Sequence, residues 1–251
     1  MNDPRQQLLT LLAQHSFRLG AFKLSSGGTS DYYIDCRTTT LHAEGARLTA
    51  RVFYDEIRSR GWHPRAVGGL TLGADPIVSC VAMHSAQQAQ SRSDVAGSEP
   101  NAAETLIHAF IVRKAEKQHG TGQRVEGFRE KDAPVVIVDD VCTTGASTVQ
   151  AIEAAREYGF RVVGVMCVVE REEAGGRIAV ERAASPAPFI SIFQAGEVRQ
   201  ERLRLYPEEG ARLKDAPPIF AVSATCDFCD RPAVTNVPRN RCAVHRSETG
   251  E

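Results

Sequence analysis

The stretch PVVIVDDVCTTGAST, residues 134–148, constrains the fold of this chain more than any other segment. Val135 to Val138 form a β-branched run with no outward polar face, the pattern of a strand buried on both sides. The run leads straight into two adjacent carboxylates, Asp139 and Asp140. A turn carrying Thr143, Thr144 and Gly145 follows, and a helix opens at Ala146 and Ser147. Strands covered on both faces belong to parallel sheets flanked by helices, and such sheets bind ligands outside the carboxyl ends of their strands.

The rest of the chain alternates in the same way. Asp3-Pro4 ahead of Leu8, Leu9, Leu11 and Leu12 predicts a capped helix. Residues 20–36 read as two short strands around a turn. Leu48, Val52, Phe53 and Ile57 recur at helical spacing over 44–60, with Gly61 as the stop. A strand is expected over 65–69, and a helix opened by Asp75-Pro76 that runs to about Met83. Residues 85–104 are small and polar without periodicity and read as a flexible insertion. Further strands are expected over 105–112, 161–169 and 189–193, a helix over 146–158, and a long mobile loop over 113–131. The predicted class is α/β, a central parallel sheet with helices on both sides.

Composition removes several functions. The formal net charge of -1 lacks the basic excess of a nucleic-acid binder. No run of about 18 apolar residues is available to span a membrane, and the N-terminus lacks the basic start and apolar core of a secretory signal. Seven cysteines, an odd number without disulfide-like spacing, point to reduced thiols and a cytoplasmic protein.

The chemistry of residues 139–148 suits a sugar phosphate. Gly145 permits a left-handed backbone that brings N–H groups to an anion, and the following helix start adds unpaired N–H groups and a positive dipole end. Thr143, Thr144, Ser147 and Thr148 offer hydroxyl donors. The paired aspartates repel phosphate but accept from ribose hydroxyls, or lie near the Mg²⁺ that a diphosphate carries. A Walker-type loop is excluded, because no GxxxxGK[ST] occurs.

VVIVDDVCTTGAST resembles the phosphoribosyl-pyrophosphate signature of the type I phosphoribosyltransferases, and residues 5–195 resemble the orotate phosphoribosyltransferases within that group. Three more segments carry the narrower likeness: FKLSSGGTSDYYID (22–35), VGGLTLGADPIV (67–78) and VRKAEKQHGTGQRVEG (112–127). They resemble the family's substrate-contacting N-terminal stretch, its pyrophosphate loop and its catalytic flexible loop. The resemblance implies a small N-terminal hood on the parallel sheet, Mg²⁺ as cofactor, orotate and phosphoribosyl pyrophosphate (PRPP) as substrates, and a homodimer that shares the 113–127 loop between subunits.

The resemblance also assigns residues. Lys117, with Asp139 and Asp140, takes the catalytic positions. Arg113, Lys114 and His119 accompany Lys117 on the loop, as cations able to close over a polyanion. Gly69 and Thr71 belong to the pyrophosphate turn, and Val141, Cys142, Thr143, Thr144, Gly145, Ala146 and Ser147 to the phosphate cradle. Ser25, Tyr33, Ile34, Thr143 and Arg171 match positions around orotate. Arg171 suits the base's carboxylate because a planar guanidinium meets a carboxylate bidentately. Two departures stand out: Leu72 and Ser25 occupy positions where many relatives carry lysine. Asp75 serves either as a helix cap or as a water-mediated Mg²⁺ contact.

Residues 196–251 exceed the resemblance and are expected to form a separate extension. Cys226 and Cys229 make a CxxC knuckle, and Cys242 and His245 a CxxH pair, the Cys₃His set that structural Zn²⁺ prefers. Two other functions are weighed on the same fold. A purine phosphoribosyltransferase has no need of a carboxylate-pairing Arg171, and a non-catalytic PRPP sensor has no need of an intact Lys117 and acidic pair.

Overall fold

Six strands build the central sheet, in the order β5-β4-β3-β6-β7-β8. They are β3 (Ala66–Leu70), β4 (His108–Val112), β5 (Val125–Gly127), β6 (Pro134–Cys142), β7 (Arg161–Glu170) and β8 (Phe189–Gln194). All neighbours run parallel except β5, which pairs antiparallel with β4. The computed structural model describes residues 3–23, 29–96, 106–114 and 124–215. Among these no helix is long and apolar enough to cross a membrane.

From β3 the chain passes to β4 on one side of the sheet and then returns to β6 on the other. The crossovers therefore diverge at the carboxyl ends of β3 and β6, which is where open α/β sheets form a ligand crevice. Both faces of the sheet are packed. On one face Val67, Val136, Val138 and Val168 meet Phe53, Ile57, Ile77 and Val81 of the helices α3 (Ala43–Ser59) and α4 (Asp75–Ala96). On the other, Val135, Ile137 and Val165 meet Ile152 of α5 (Ala146–Tyr158) and Val180 of α6 (Gly176–Ala184).

The N-terminal hood has the expected form. Helix α1 (Pro4–Leu11) is capped by Asp3, whose Oδ1 accepts from the Arg5 N–H at 3.0 Å. One wider turn, Leu12–Ser16, leads into the hairpin of β1 (Phe17–Lys23) and β2 (Thr29–Ile34). Tyr32 stacks on Phe17 with ring centroids 5.0 Å apart. The short helix α2 (Arg37–Thr40) then joins the hairpin to α3.

Several boundaries differ from expectation. Helix α4 runs to Ala96, so residues 85–96 are helical and do not belong to a loose insertion. Nothing in that stretch breaks a helix until Gly97, and its Ala, Gln and Arg residues are good helix formers. Ser85 and Ala89 give it a buried face, and Ser85 Oγ accepts from the Ile107 N–H at 3.0 Å. Residues 125–127 of the expected loop form β5, whose Val125 is buried. Past residue 195, α7 (Ala195–Leu205) is part of the first compact unit, Met1–Pro207. A capping box of Gln194 and Glu197 starts it, Val198 is buried, and Glu201 accepts from the Thr10 hydroxyl at 2.7 Å. A second unit begins at Glu208, and its described part lies in helix α8 (Pro207–Asp215). The four candidate zinc ligands, Cys226, Cys229, Cys242 and His245, lie outside the described residues. Cys36, Cys80, Cys142 and Cys167 are free thiols, all buried.

Candidate active site

A cavity of about 600 Å³ opens at the carboxyl ends of β3 and β6. Of the residues singled out in the sequence, Thr71, Asp139, Asp140, Val141, Thr143, Thr144 and Ser147 line its floor. Tyr33, Ile34 and Arg171 line it from the hood and β7 side, and Lys114 from the loop side.

Strand β6 continues through both aspartates to Cys142, with Asp139 paired to Cys167 and Val141 to Val169 of β7. Asp139 is only 4% exposed. Its Oδ1 accepts from the Asp140 N–H at 3.0 Å and its Oδ2 from the Thr148 hydroxyl at 2.7 Å. Asp140 Oδ1 accepts from the Val141 N–H at 2.9 Å. Burial, reinforced by the neighbouring Asp140 charge, holds the Asp139 carboxyl above the usual carboxylate range. Burial raises Asp140 as well. Two desolvated carboxylates side by side favour anything that relieves their charge: a proton, a hydroxyl donor or a cation. Thr148 is 1% exposed, and its hydroxyl serves Asp139 rather than a phosphate, which corrects its expected role.

The turn after β6 owes its shape to Gly145, whose φ of 77° is left-handed. A Cβ there would lie 2.7 Å from Val180 and 2.9 Å from the Gly176 carbonyl oxygen, so α6 packs directly on the turn. Thr143, Thr144 and Ser147 are thereby fixed around the first turn of α5, where free backbone N–H groups and the helix dipole favour an anion.

The 70–73 segment backs onto the acidic pair. A Cβ on Gly73 would lie 2.4 Å from Asp140 Oδ1, an approach only glycine allows. Leu72 is 64% exposed and, like Leu70, lines the cavity. Asp75 heads α4, where burial raises its carboxyl and a hydrogen bond from Thr71 opposes that shift.

Arg171 is 7% exposed and is held between the sheet and the hood. Its backbone N–H donates to the Cys142 carbonyl at 2.9 Å, which sets it beside the turn after β6. Its Nε donates to the Tyr32 hydroxyl at 2.9 Å and to Glu173 Oε1 at 3.1 Å, and its Nη2 to Ser30 Oγ at 3.0 Å. The guanidinium lies 4.5 Å from the centre of the Tyr32 ring. Burial and the hydrogen bond to Glu173 push the Tyr32 phenol up. Burial pushes Glu173 up too, but hydrogen bonds from Tyr32 and Arg171 outweigh it and leave that carboxyl low. The arginine is a buried, pre-oriented cation at the cavity wall, not a surface residue among glutamates.

Other predicted residues stand elsewhere. Gly69 is buried inside β3, where a Cβ would meet the Val138 carbonyl oxygen at 2.1 Å. Cys142 is buried in the core on the α5 side of the sheet. Gly145 and Ala146 shape the turn and do not line the cavity. Arg113 pairs with Glu126 at 3.0 Å and is also absent from the lining. Lys117, His119 and Ser25 lie outside the described residues.

The sequence reading passed over Asp35 and Arg37, which both line the cavity. They follow Tyr33 and Ile34 directly as Asp-x-Arg, a spacing that could have flagged them. Tyr32 and Glu173, the partners that orient Arg171, carried no such signal, because they are 141 residues apart and meet only in the fold.

Comparison with known proteins places the chain in a family. A family model described as phosphoribosyl transferase domain matches residues 40–181. The orotate phosphoribosyltransferase of Aquifex aeolicus is 38% identical over 197 residues, covering 77% of this chain and 97% of the relative. That of Thermosynechococcus vestitus is 39% identical, covering 78% and 93%. Among solved structures, Mycobacterium tuberculosis orotate phosphoribosyltransferase superposes with a TM-score of 0.61 at 33% identity, covering 78% of this chain and 99% of that one. A crystal structure of the same enzyme with PRPP gives 0.58 at 30% identity, covering 78% and 99%. The buried acidic pair, the glycine turn after β6 and the oriented arginine thus stand on the fold these relatives share, and the chain belongs to the orotate phosphoribosyltransferase family of type I phosphoribosyltransferases.

Proposed function

We propose that the chain transfers the ribose 5-phosphate unit of PRPP to orotate, giving orotidine 5′-phosphate and pyrophosphate in pyrimidine nucleotide biosynthesis. The observation that carries this reading is one cavity with a phosphate turn and acidic pair on its floor and a buried arginine on its wall. That is the spacing of charges required by a ligand with a phosphate at one end, ribose hydroxyls in the middle and a carboxylated base at the other. A purine base offers Arg171 no carboxylate, which disfavours that alternative.

Each group then has a task. Thr143, Thr144, Ser147 and the first N–H groups of α5 hold the 5-phosphate. Asp139 and Asp140 accept from the ribose hydroxyls, and their buried negative charge favours the oxocarbenium-like sugar that develops as pyrophosphate leaves. Arg171 takes the orotate carboxylate, with the ring between it and Tyr33 and Ile34. The N–C bond forms as the C–O bond to pyrophosphate breaks, and the proton of the attacking ring nitrogen passes to the departing pyrophosphate or to water, so positioning and charge neutralisation carry the catalysis. Lys114, with Lys117 and His119, covers the pyrophosphate when the loop closes.

Asp140 and Asp139 offer hard oxygen donors whose raised proton affinity signals unmet negative charge, which fits Mg²⁺. The ion, when bound, supplies neutralisation of the diphosphate. The Cys226, Cys229, Cys242 and His245 set has the donor chemistry of a structural Zn²⁺ knuckle, and elemental analysis of the purified chain reads its metal content. The protein acts in the cytoplasm as a homodimer whose loops reach across subunits. Mixing heterodimers of a loop-deficient and a phosphate-turn-deficient chain tests this, because only shared sites recover activity.

The deciding experiment is to follow orotate absorbance on mixing the protein with Mg²⁺, PRPP and orotate. Orotate must be consumed and stoichiometric pyrophosphate released. Consumption of adenine or guanine in its place, or of no base, rejects the assignment.

A further inference from the structure

We propose that Arg37 holds the pyrophosphate end of the donor, as a second fixed guanidinium in the cavity besides Arg171. The inference rests on the reading of this site as a PRPP site.

The 70–73 segment that faces Asp140 reads Leu-Thr-Leu-Gly and brings no cation of its own. The floor beneath it is acidic, with Asp35, Asp139 and Asp140 all lining the cavity. A diphosphate placed there needs positive charge, and the described lining residues contain three cations: Arg37, Lys114 and Arg171. Arg171 is committed to the wall formed by Ser30, Tyr32 and Glu173. Lys114 stands on the loop side, where its carbonyl oxygen accepts from Gln150 at 3.4 Å. Arg37 lines the same cavity as the 70–73 segment and Asp140, the carboxylate that Gly73 abuts.

Arg37 is also prepared for an anion in the same manner as Arg171. Its Nε and Nη2 donate side-on to Asp35 Oδ1 and Oδ2, both at 2.8 Å. Asp35 is fixed in turn, because its backbone N–H donates to the Ser16 carbonyl at 3.0 Å and its Oδ1 accepts the Arg37 N–H at 3.0 Å. An internal carboxylate thus occupies one edge of each arginine, Asp35 for Arg37 and Glu173 for Arg171, and neither Nη1 is engaged in these contacts. Clamping one edge removes the rotamer freedom that a long side chain would lose on binding, while the other edge keeps donors for phosphate oxygens. Half the Arg37 side chain remains open to solvent, so an incoming ligand reaches it without a rearrangement.

The test uses two ligands that divide the cavity. Magnesium pyrophosphate fills only the leaving-group end, whereas orotidine 5′-phosphate fills the base and phosphate ends and omits it. Calorimetric titration of Arg37→Gln should show pyrophosphate affinity lower by roughly ten- to a hundredfold, the size of one or two charge-assisted hydrogen bonds. Orotidine 5′-phosphate affinity should stay within about twofold. Arg37→Lys, which keeps the charge but not the fork, should recover only part of the loss, and Arg37→Met, which removes charge and donors at similar length, carries the test if the Gln variant fails to fold. Unchanged pyrophosphate affinity, or an equal loss for both ligands, overturns the proposal. A wild-type protein that binds neither ligand removes the underlying reading of the site instead.

Discussion

The Thr148 hydroxyl donates to Asp139 Oδ2 at 2.7 Å, tying the first turn of α5 to the carboxyl-terminal half of β6. Both residues are almost fully buried. This bond, with the Asp140 N–H on the other oxygen, leaves Asp139 oriented before any ligand arrives.

Replacing Thr148 by Val keeps the shape and removes the donor. A buried carboxylate that loses a partner costs about 1–3 kcal/mol, and more of it is driven to take a proton. Urea denaturation at neutral pH should show a loss of that size, together with weaker PRPP binding. Equal stability of the two proteins would mean that the bond contributes nothing net.

The acidic pair predicts a pH dependence. Burial raises Asp139 from its ordinary 3.8, so the native protein holds a proton that the unfolded chain releases. Stability in the absence of ligand therefore falls as pH rises from about 4 through the raised native value, and it levels off above that value. Asp139→Asn is neutral throughout and escapes this cost. Its melting temperature relative to wild type should rise between about pH 5 and pH 8. A difference that is constant or falls with pH contradicts the burial of an ionisable charge here.

Arg171→Gln should act on one substrate. The change removes the guanidinium fork from the cavity wall and leaves Glu173 and Tyr32 without their cation. The kcat/KM for orotate should drop by about a hundredfold or more, with the KM for PRPP within about threefold. Steady-state kinetics with each substrate varied in turn distinguishes this from a general loss of fold, which would move both.

Gly73→Ala tests the close approach of the 70–73 segment to the floor. The added methyl would sit 2.4 Å from Asp140 Oδ1, so the segment or the carboxylate must shift. PRPP affinity should fall by roughly tenfold with a smaller effect on thermal stability, because residues 71–73 are only partly buried. Wild-type affinity in the alanine variant would show that the segment adjusts freely.

Local sequence pattern was sufficient for the strand-turn-helix at 134–148 and for the residue types on the cavity floor. There, chemistry and backbone geometry are encoded within one contiguous stretch: a β-branched run, two carboxylates, Gly145 for a left-handed turn and hydroxyls at the helix start. Pattern was insufficient where burial decides structure. Residues 85–96 look like a loop because their exposed face is polar, yet Ser85 and Ala89 anchor them in α4. Tyr32, Glu173 and Arg171 form one network from two distant segments, and the pairing of Asp35 with Arg37 gains meaning only from the cavity wall on which both stand. The reason is physical. A periodic pattern reports which face of an element is apolar, whereas the orientation of a polar side chain is set by partners that only the packed sheet and hood bring within reach.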